Sequence, residues 1–299
     1  PELYSFPEYD TQQSIYMDLL KELNEAQAAL NGASAAAMKS ADNFYQGDAS
    51  KWRKFANSLM LRVAMRMSKV DPAAAEQWVK TAVANGVFES DADNCMLMHA
   101  GGLTTNDSSE PYAKIYSHED RGNFFLTEYF VDLLKSTNDP RLSLIGTVCE
   151  DPTISVQAGS DFQYGDSAPA VQKGLPSGFS DSPDSPWFVG NKYPEFKDED
   201  YRSTYRSRYS TINRYTYSDP TGPTFVCTYA QTQLLLAEAA VRGWVDGSAQ
   251  TYYENGVRAA MRQFAQFPNG TALYNQYLTQ AAIDRYLTEN PFNASKALE

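Results

Sequence analysis

Lys51 to Ser68 reads KWRKFANSLMLRVAMRMS, and its apolar residues do not fit on a single face of one helix. At about 100° per residue, Trp52, Phe55, Ala56, Leu59, Met60, Val63 and Met67 form a broad stripe, while Leu61 and Met65 fall on the opposite side. A helix that is apolar on two sides is packed on two sides. The segment is therefore predicted to be an inner helix of a multi-helix array rather than a helix lying on a sheet. Arg62 and Arg66, one turn apart at the edge of the stripe, are expected to snorkel or to pair with carboxylates of a neighbouring helix rather than to hold a ligand.

Helical signals continue on both sides of this segment. Upstream, Asp10 followed by Gln13 predicts a cap for a helix whose apolar residues Ile15, Tyr16, Leu19, Leu23, Ala26 and Leu30 recur at helical spacing until Gly32. Downstream, Asp71 and Pro72 predict the N-cap and first position of a helix that stops at Gly86, so that the two helices form a hairpin. A second hairpin is predicted from Tyr229–Arg242, stopped by Gly243, and a partner over about 249–267 that carries Tyr252, Tyr253, Val257, Ala260, Met261 and Phe264. Helical hairpins of about 34 residues, with small residues where the helices cross, are the units of tetratricopeptide-type (TPR) arrays, and these repeats are TPR-like in that loose sense.

The middle of the chain breaks the pattern. Six prolines and five glycines between Pro152 and Pro194 exclude a continuous helix there, and Phe162, Tyr164, Phe179, Trp187, Phe188 and Tyr193 are interleaved with them. So aromatic a segment points to a functional surface rather than plain disorder. Tyr201 to Tyr217 reads as one or two short strands. The expected fold is mostly α: one domain over 1–299, with a scaffold of TPR-like helical hairpins at about 8–145 and 228–299 and an irregular Gly/Pro/aromatic-rich insertion with a few short strands at about 146–227.

Composition narrows the function. A net charge of -12, with 37 acidic against 25 basic residues, repels phosphate backbones, so nucleic acid is not an expected partner. No apolar run of about 18 residues is present to span a bilayer. The three cysteines, Cys95, Cys149 and Cys227, are far apart without CxxC spacing, which argues against a zinc ribbon or a dense disulfide framework and leaves at least one thiol free and buried.

Signatures of catalysis and metal binding are absent from the sequence. His99 and His118 lack metal-ligand spacing, and no GxSxG, Walker-type or GxGxxG motif occurs. The acidic cluster Glu195, Asp198, Glu199 and Asp200 around Lys197 reads as a solvated surface rather than the separated carboxylates of a glycosidase. Asp91, Asp93 and Asn94 imitate the first ligands of a calcium loop, but the glycine and distal glutamate of an EF-hand are missing, so a structural calcium is possible without being indicated and no cofactor is expected. Asn106, Asn269 and Asn293 begin N-x-S/T triplets, which matter only in a glycosylating secretory pathway.

Taken in order, Tyr9–Ala26, Lys51–Asp71, the NDPRL of Asn138–Leu142 and the LLLAEAAVRG of Leu234–Gly243 resemble the helical signatures of the SusD/RagB-like surface nutrient-binding lipoproteins. The resemblance implies a mostly helical, non-catalytic protein, lipid-anchored at the outer-membrane surface, that binds oligosaccharide and delivers it to a TonB-dependent, SusC-like transporter. It also implies that this chain lacks both ends of such a protein, including the anchored N-terminus. Sugar rings stack on aromatic faces while their hydroxyls bond to amides and carboxylates. On that ground Trp187, Tyr193, Tyr164 and Phe188, with Asn191 and Asp161 as polar partners, are the candidate ligand residues. Two other readings stay open: a peptide-binding or protein scaffold built on the TPR-like helices, and an all-helical glycoside hydrolase.

Overall fold

The computed structural model describes residues 9–33, 39–101, 110–114, 124–149, 165–178, 186 and 209–296. Helices dominate these residues, with a few short strands between them. The chain divides into two compact units, one of Pro1–Leu97, Phe225–Ala260 and Phe292–Glu299, the other of Met98–Thr224 and Met261–Pro291. Among the described residues, no helix is long and apolar enough to cross a membrane.

The first unit is built on α2 (Ala49–Arg66), which packs against α1 (Gln12–Ala29), α3 (Pro72–Asn85) and α7 (Tyr229–Val241). This is the inner helix expected from its two apolar sides: Met60 and, on the other side, Leu61 are fully buried, and Met65 nearly so. Ala64, Ala75, Ala82 and Ala239 are also fully buried, and their small side chains let the helix axes approach. The sequence pattern gave no role to Asn57 and Ser58, which interrupt the apolar surface and are buried. The Asn57 amide donates to the carbonyls of Asn85 and Gly86 at 3.2 and 2.9 Å, satisfying the C-terminal end of α3, and the Ser58 hydroxyl accepts from Phe88 N–H at 2.9 Å.

Helix ends follow local chemistry closely. Asp71 caps α3 by accepting from Ala74 N–H, Pro72 occupies the first turn, and Gly86 ends the helix at φ 93°. After α7, Gly243 takes φ 74° and Trp244 N–H reaches back to Ala239 O, the six-to-one bond of a Schellman motif, with Trp244 packed into the same core as Ala239. The partner helix α8 (Ala249–Arg262) comes close to α7 at Gly256, where an added Cβ would stand 2.7 Å from Leu234 Cγ. Two expectations are corrected. The cap of α1 is Thr11 rather than Asp10: α1 starts at Gln12, and the Thr11 hydroxyl accepts from Ser14 N–H at 3.1 Å. Arg62 donates to Val226 O and to the Gln231 side-chain amide oxygen, at 3.0 and 3.2 Å, rather than pairing with a carboxylate.

Asp42 organises the turn into α2. Its two carboxylate oxygens accept from Phe44, Tyr45 and Gly47 N–H and from the Trp52 indole N–H at 2.8–3.1 Å, while Phe44, Tyr45 and Phe55 each meet Trp52 edge-on. Burial works against ionisation of this carboxyl, but the four donors outweigh it and hold the group at about 2, below its ordinary 3.8. A depressed folded-state value means that this stability is complete above about pH 4 and is lost as pH falls through about 2. The melting temperature of the native chain is therefore expected to drop more steeply between about pH 4 and 2 than that of Asp42→Asn, and parallel pH profiles would contradict this account.

Strand β1 (Cys95–Met98) pairs with β5 (Pro223–Cys227). Cys95 and Cys227 are free and buried beside Tyr45 and Phe88.

The second unit combines α4 (Pro111–Lys114), α5 (Glu128–Ser136), α6 (Leu142–Ile145), α9 (Thr271–Tyr277) and α10 (Gln280–Glu289) with an antiparallel three-stranded sheet. In that sheet β2 (Gly146–Cys149) lies between β3 (Gly165–Asp166) and β4 (Thr211–Ile212), with Val148 opposite Asp166 and Gly146 opposite Ile212. Of the strand expected at Tyr201–Tyr217, residues 201–208 lie outside the described residues and Thr211–Ile212 is strand. The chain then turns, because the buried Asn213 amide donates to Ser143 O, Gly146 O and Ser167 Oγ at 3.0–3.2 Å and holds the backbone there. The NDPRL turn joins α5 to α6. Asn138 takes φ 50°, and the Asp139 carboxylate accepts from Arg141 N–H and from its guanidinium, both at 2.9 Å.

Candidate functional site

Trp187, Tyr193, Tyr164, Phe188, Asn191 and Asp161, the ligand residues expected from sequence, all lie outside the described residues, as do His118, Asn106 and the acids at 195–200. Within the described part, aromatic rings and acceptors meet in a cavity of about 310 Å³ in the second unit. Its lining includes Tyr112, Tyr217 and Phe267 together with Glu110, Thr216 and Asp219.

Identifiable contacts, some local and some long-range, place these side chains. Pro111 opens the short helix α4, and the Glu110 carboxylate accepts from Ala113 N–H at 2.6 Å, which sets Tyr112 on the surface with 64% of its area exposed. Tyr217 is braced edge-on by Phe264 and Phe267, with centroids 5.6 and 5.2 Å away. Burial pushes the Tyr217 hydroxyl above its ordinary range, against the pull of the Arg141 charge and a bond with Gln263, so it stays protonated and able to donate. The Asp219–Pro223 turn is closed by Gly222 N–H bonding to Asp219 O, and Gly222 lies so near Phe267 that an added Cβ would be 3.2 Å from the ring.

Both acids of the cavity are held by protein donors. One Asp219 oxygen accepts from Thr221 N–H and Oγ1, and the other from the Asn269 amide at 3.1 Å. Glu110 also accepts from the Thr224 hydroxyl at 3.3 Å, and that hydroxyl lies 2.9 Å from His99 Nε2, so His99 supports the cavity wall from behind. A carboxylate has about four lone-pair sites, so Glu110 keeps capacity for a ligand hydroxyl. The lining has no cationic side chain among the described residues. Flat rings with hydroxyl and carboxylate acceptors suit a neutral polyol ring: C–H faces against the tyrosines, hydroxyls to Glu110 and Thr216.

Two of the calcium-like trio, Asp93 and Asn94, are engaged by protein groups. Asp93 accepts from Glu89 N–H at 2.8 Å and pairs with Lys54 at 3.1 Å, and the Asn94 oxygen accepts from Tyr229 N–H at the start of α7. Among the described residues, no group of three or more His, Cys, Asp or Glu side chains converges as a metal site.

Sequence reasoning did not single out Tyr112, Tyr217, Glu110 or Asp219. One signal was available: the DPTGP of Asp219–Pro223 is dense turn punctuation directly after Tyr215 and Tyr217, which marks aromatic residues held at a tight turn.

Comparison with known proteins bears on what this surface serves. No curated protein matches the chain. Among solved structures, a chitin-binding protein superposes with a TM-score of 0.71 at 32% identity, over 97% of this chain and 55% of that one. A SusD homologue from Bacteroides fragilis NCTC 9343 gives 0.68 at 27% identity over 95% and 56%. A chitin-binding SusD homologue from Flavobacterium johnsoniae gives 0.62 at 25% identity over 90% and 47%. The chain thus spans roughly half the length of these relatives. A family model described as starch-binding and associating with the outer membrane matches residues 2–296. With this match over nearly its whole length, the chain belongs to the SusD-like family.

Proposed function

We propose that the chain is the binding portion of a non-catalytic glycan-binding protein that is lipid-anchored at the outer-membrane surface and passes oligosaccharide to a TonB-dependent, SusC-like transporter. Family membership together with the Tyr112–Tyr217 cavity carries this reading. Tyr112 is an exposed platform beside an acceptor-rich wall without cations, which favours a neutral sugar ring. Chito-oligosaccharides are the first candidates, because two of the relatives are chitin-binding by name. Trp187, Tyr193, Tyr164 and Phe188, with Asn191 and Asp161 as polar partners, are further candidate ligand residues on the chemistry of their side chains alone.

Calorimetric titration against a panel of plant, host and microbial oligosaccharides tests the reading. A saturable signal for one neutral class is expected. Tyr112→Ala and, separately, Trp187→Ala are each expected to weaken that binding by about 1–2 kcal/mol, roughly five- to thirtyfold in Kd, without change in melting temperature. Release of reducing ends from a polysaccharide would overturn the non-catalytic assignment. Silence across the panel, with a peptide bound instead, would replace glycan by peptide cargo.

A further inference from the structure

A second cavity of about 620 Å³ lies in the second unit between the NDPRL turn, the 165–178 loop and helices α9 and α10. It has room for more than one sugar ring. Its chemistry differs from that of the Tyr112 cavity because two cationic side chains, Lys135 and Arg285, line it.

Of the acids that share this wall, Asp139 is balanced by Arg141, while Glu289 has only a neutral partner and sets one formal negative charge against the two positive charges of Lys135 and Arg285. Asp139 is bound to Arg141 through N–H and guanidinium bonds, and the Glu289 carboxylate accepts from the Asn138 amide at 3.1 Å. Asn138 is fixed for that contact by its φ of 50° and by the neighbouring Thr137 carbonyl, which accepts from the Asn290 amide at 2.9 Å. Lys135 donates to Gln172 O, a neutral partner, so no acid offsets it directly. The Arg285 guanidinium has no ion pair or hydrogen bond among the described residues, although Glu289 lies one helical turn away. Ser143, also in the lining and fully buried, has a hydroxyl without a partner among the described residues. Tyr277 and Pro140 add flat apolar surface.

We infer that this cavity is a second saccharide site that takes an anionic sugar, one bearing a carboxylate or a sulfate. The anion is held by the fork of Arg285, with Lys135 adding charge and Tyr277 receiving a ring face. A guanidinium matches both oxyanions with two parallel N–H bonds. The net charge of -12 does not prevent this, because distant carboxylates are screened beyond about 8 Å at physiological salt while the Arg285 contact is direct. The inference rests on the glycan-binding reading, but it uses different residues and a different ligand class.

The experiment titrates the full chain with a galacturonic acid trimer, a sulfated trisaccharide and a neutral chito-oligosaccharide, at low and at physiological salt, for the native protein, Arg285→Gln and Tyr112→Ala. At least one of the two anions is expected to bind, more weakly as salt rises. That binding should fall about tenfold or more in Arg285→Gln and be unchanged in Tyr112→Ala, with the neutral ligand showing the reverse dependence. Binding of only the trimer assigns a uronate, and binding of only the sulfated sugar assigns a sulfate ester. Arg285 is exposed, so its substitution leaves the fold intact. Failure of both anions to bind, equal binding by Arg285→Gln, or loss of both ligand classes in either variant overturns the inference. The neutral ligand reports separately on the Tyr112 cavity.

Discussion

Leu61→Ala is expected to destabilise the protein by about 3–4 kcal/mol and to lower its melting temperature by roughly 10 °C. Leu61 is fully buried on the side of α2 opposite the broad apolar stripe, in the core shared with Leu20, Val79 and Leu236. Removing its isopropyl group forfeits the transfer energy of three carbons and leaves a void that packed helices close only in part. Leu59, two residues earlier on the stripe and only half-buried, is the internal comparison: its alanine variant should cost less than half as much. Urea denaturation followed by helical circular dichroism measures both. A cost for Leu61→Ala of about 1 kcal/mol or less would show that the side of α2 opposite the stripe is not packed.

Asp139→Ala is expected to cost about 3 kcal/mol. The Asp139 carboxylate is almost completely buried, caps the Arg141 N–H and forks onto the Arg141 guanidinium, which also lies 6.0 Å over the Tyr286 ring. Deleting the acid leaves a guanidinium with no counter-charge in a largely apolar place. The Arg141 side chain retains 28% of its exposure, so water relieves part of the penalty and the lower end of the range for broken buried pairs applies. In the double variant Asp139→Ala/Arg141→Ala, part of the loss should be recovered, because no orphan charge remains. A double variant no better than the single one would mean that the contribution of Asp139 is its backbone cap alone.

What the sequence made legible was governed by neighbours in sequence. Asp71–Pro72, Gly86 and Gly243 mark helix ends because caps and left-handed turns are decided within one helical turn, and the double-sided apolar pattern of α2 needed only its own spacing. The Thr11 cap differs from the expected Asp10 by one position, since both residues are capable acceptors and packing sets the start of α1. Asn57 and Ser58 looked like interruptions of the apolar surface because their partners are 28–30 residues away. Arg62 meets a carbonyl 164 positions later, which no local rule encodes. The cavity tyrosines were harder still: the chain has 20 tyrosines, and what distinguishes Tyr112 and Tyr217 is that they meet in one cavity although 105 positions apart, with Tyr217 braced by Phe264 and Phe267.

The pair Cys95 and Cys227 has a chemical consequence. Burial pushes both thiols up, Cys227 to about 11 against the pull of the nearby Arg62 charge. At pH 7 the nucleophilic thiolate of Cys227 then amounts to about one molecule in ten thousand. These sulfur atoms serve as small apolar filler between β1, β5 and Phe88. Their reactivity toward oxidants and alkylating agents is set by how often the first unit opens rather than by the strength of the reagent.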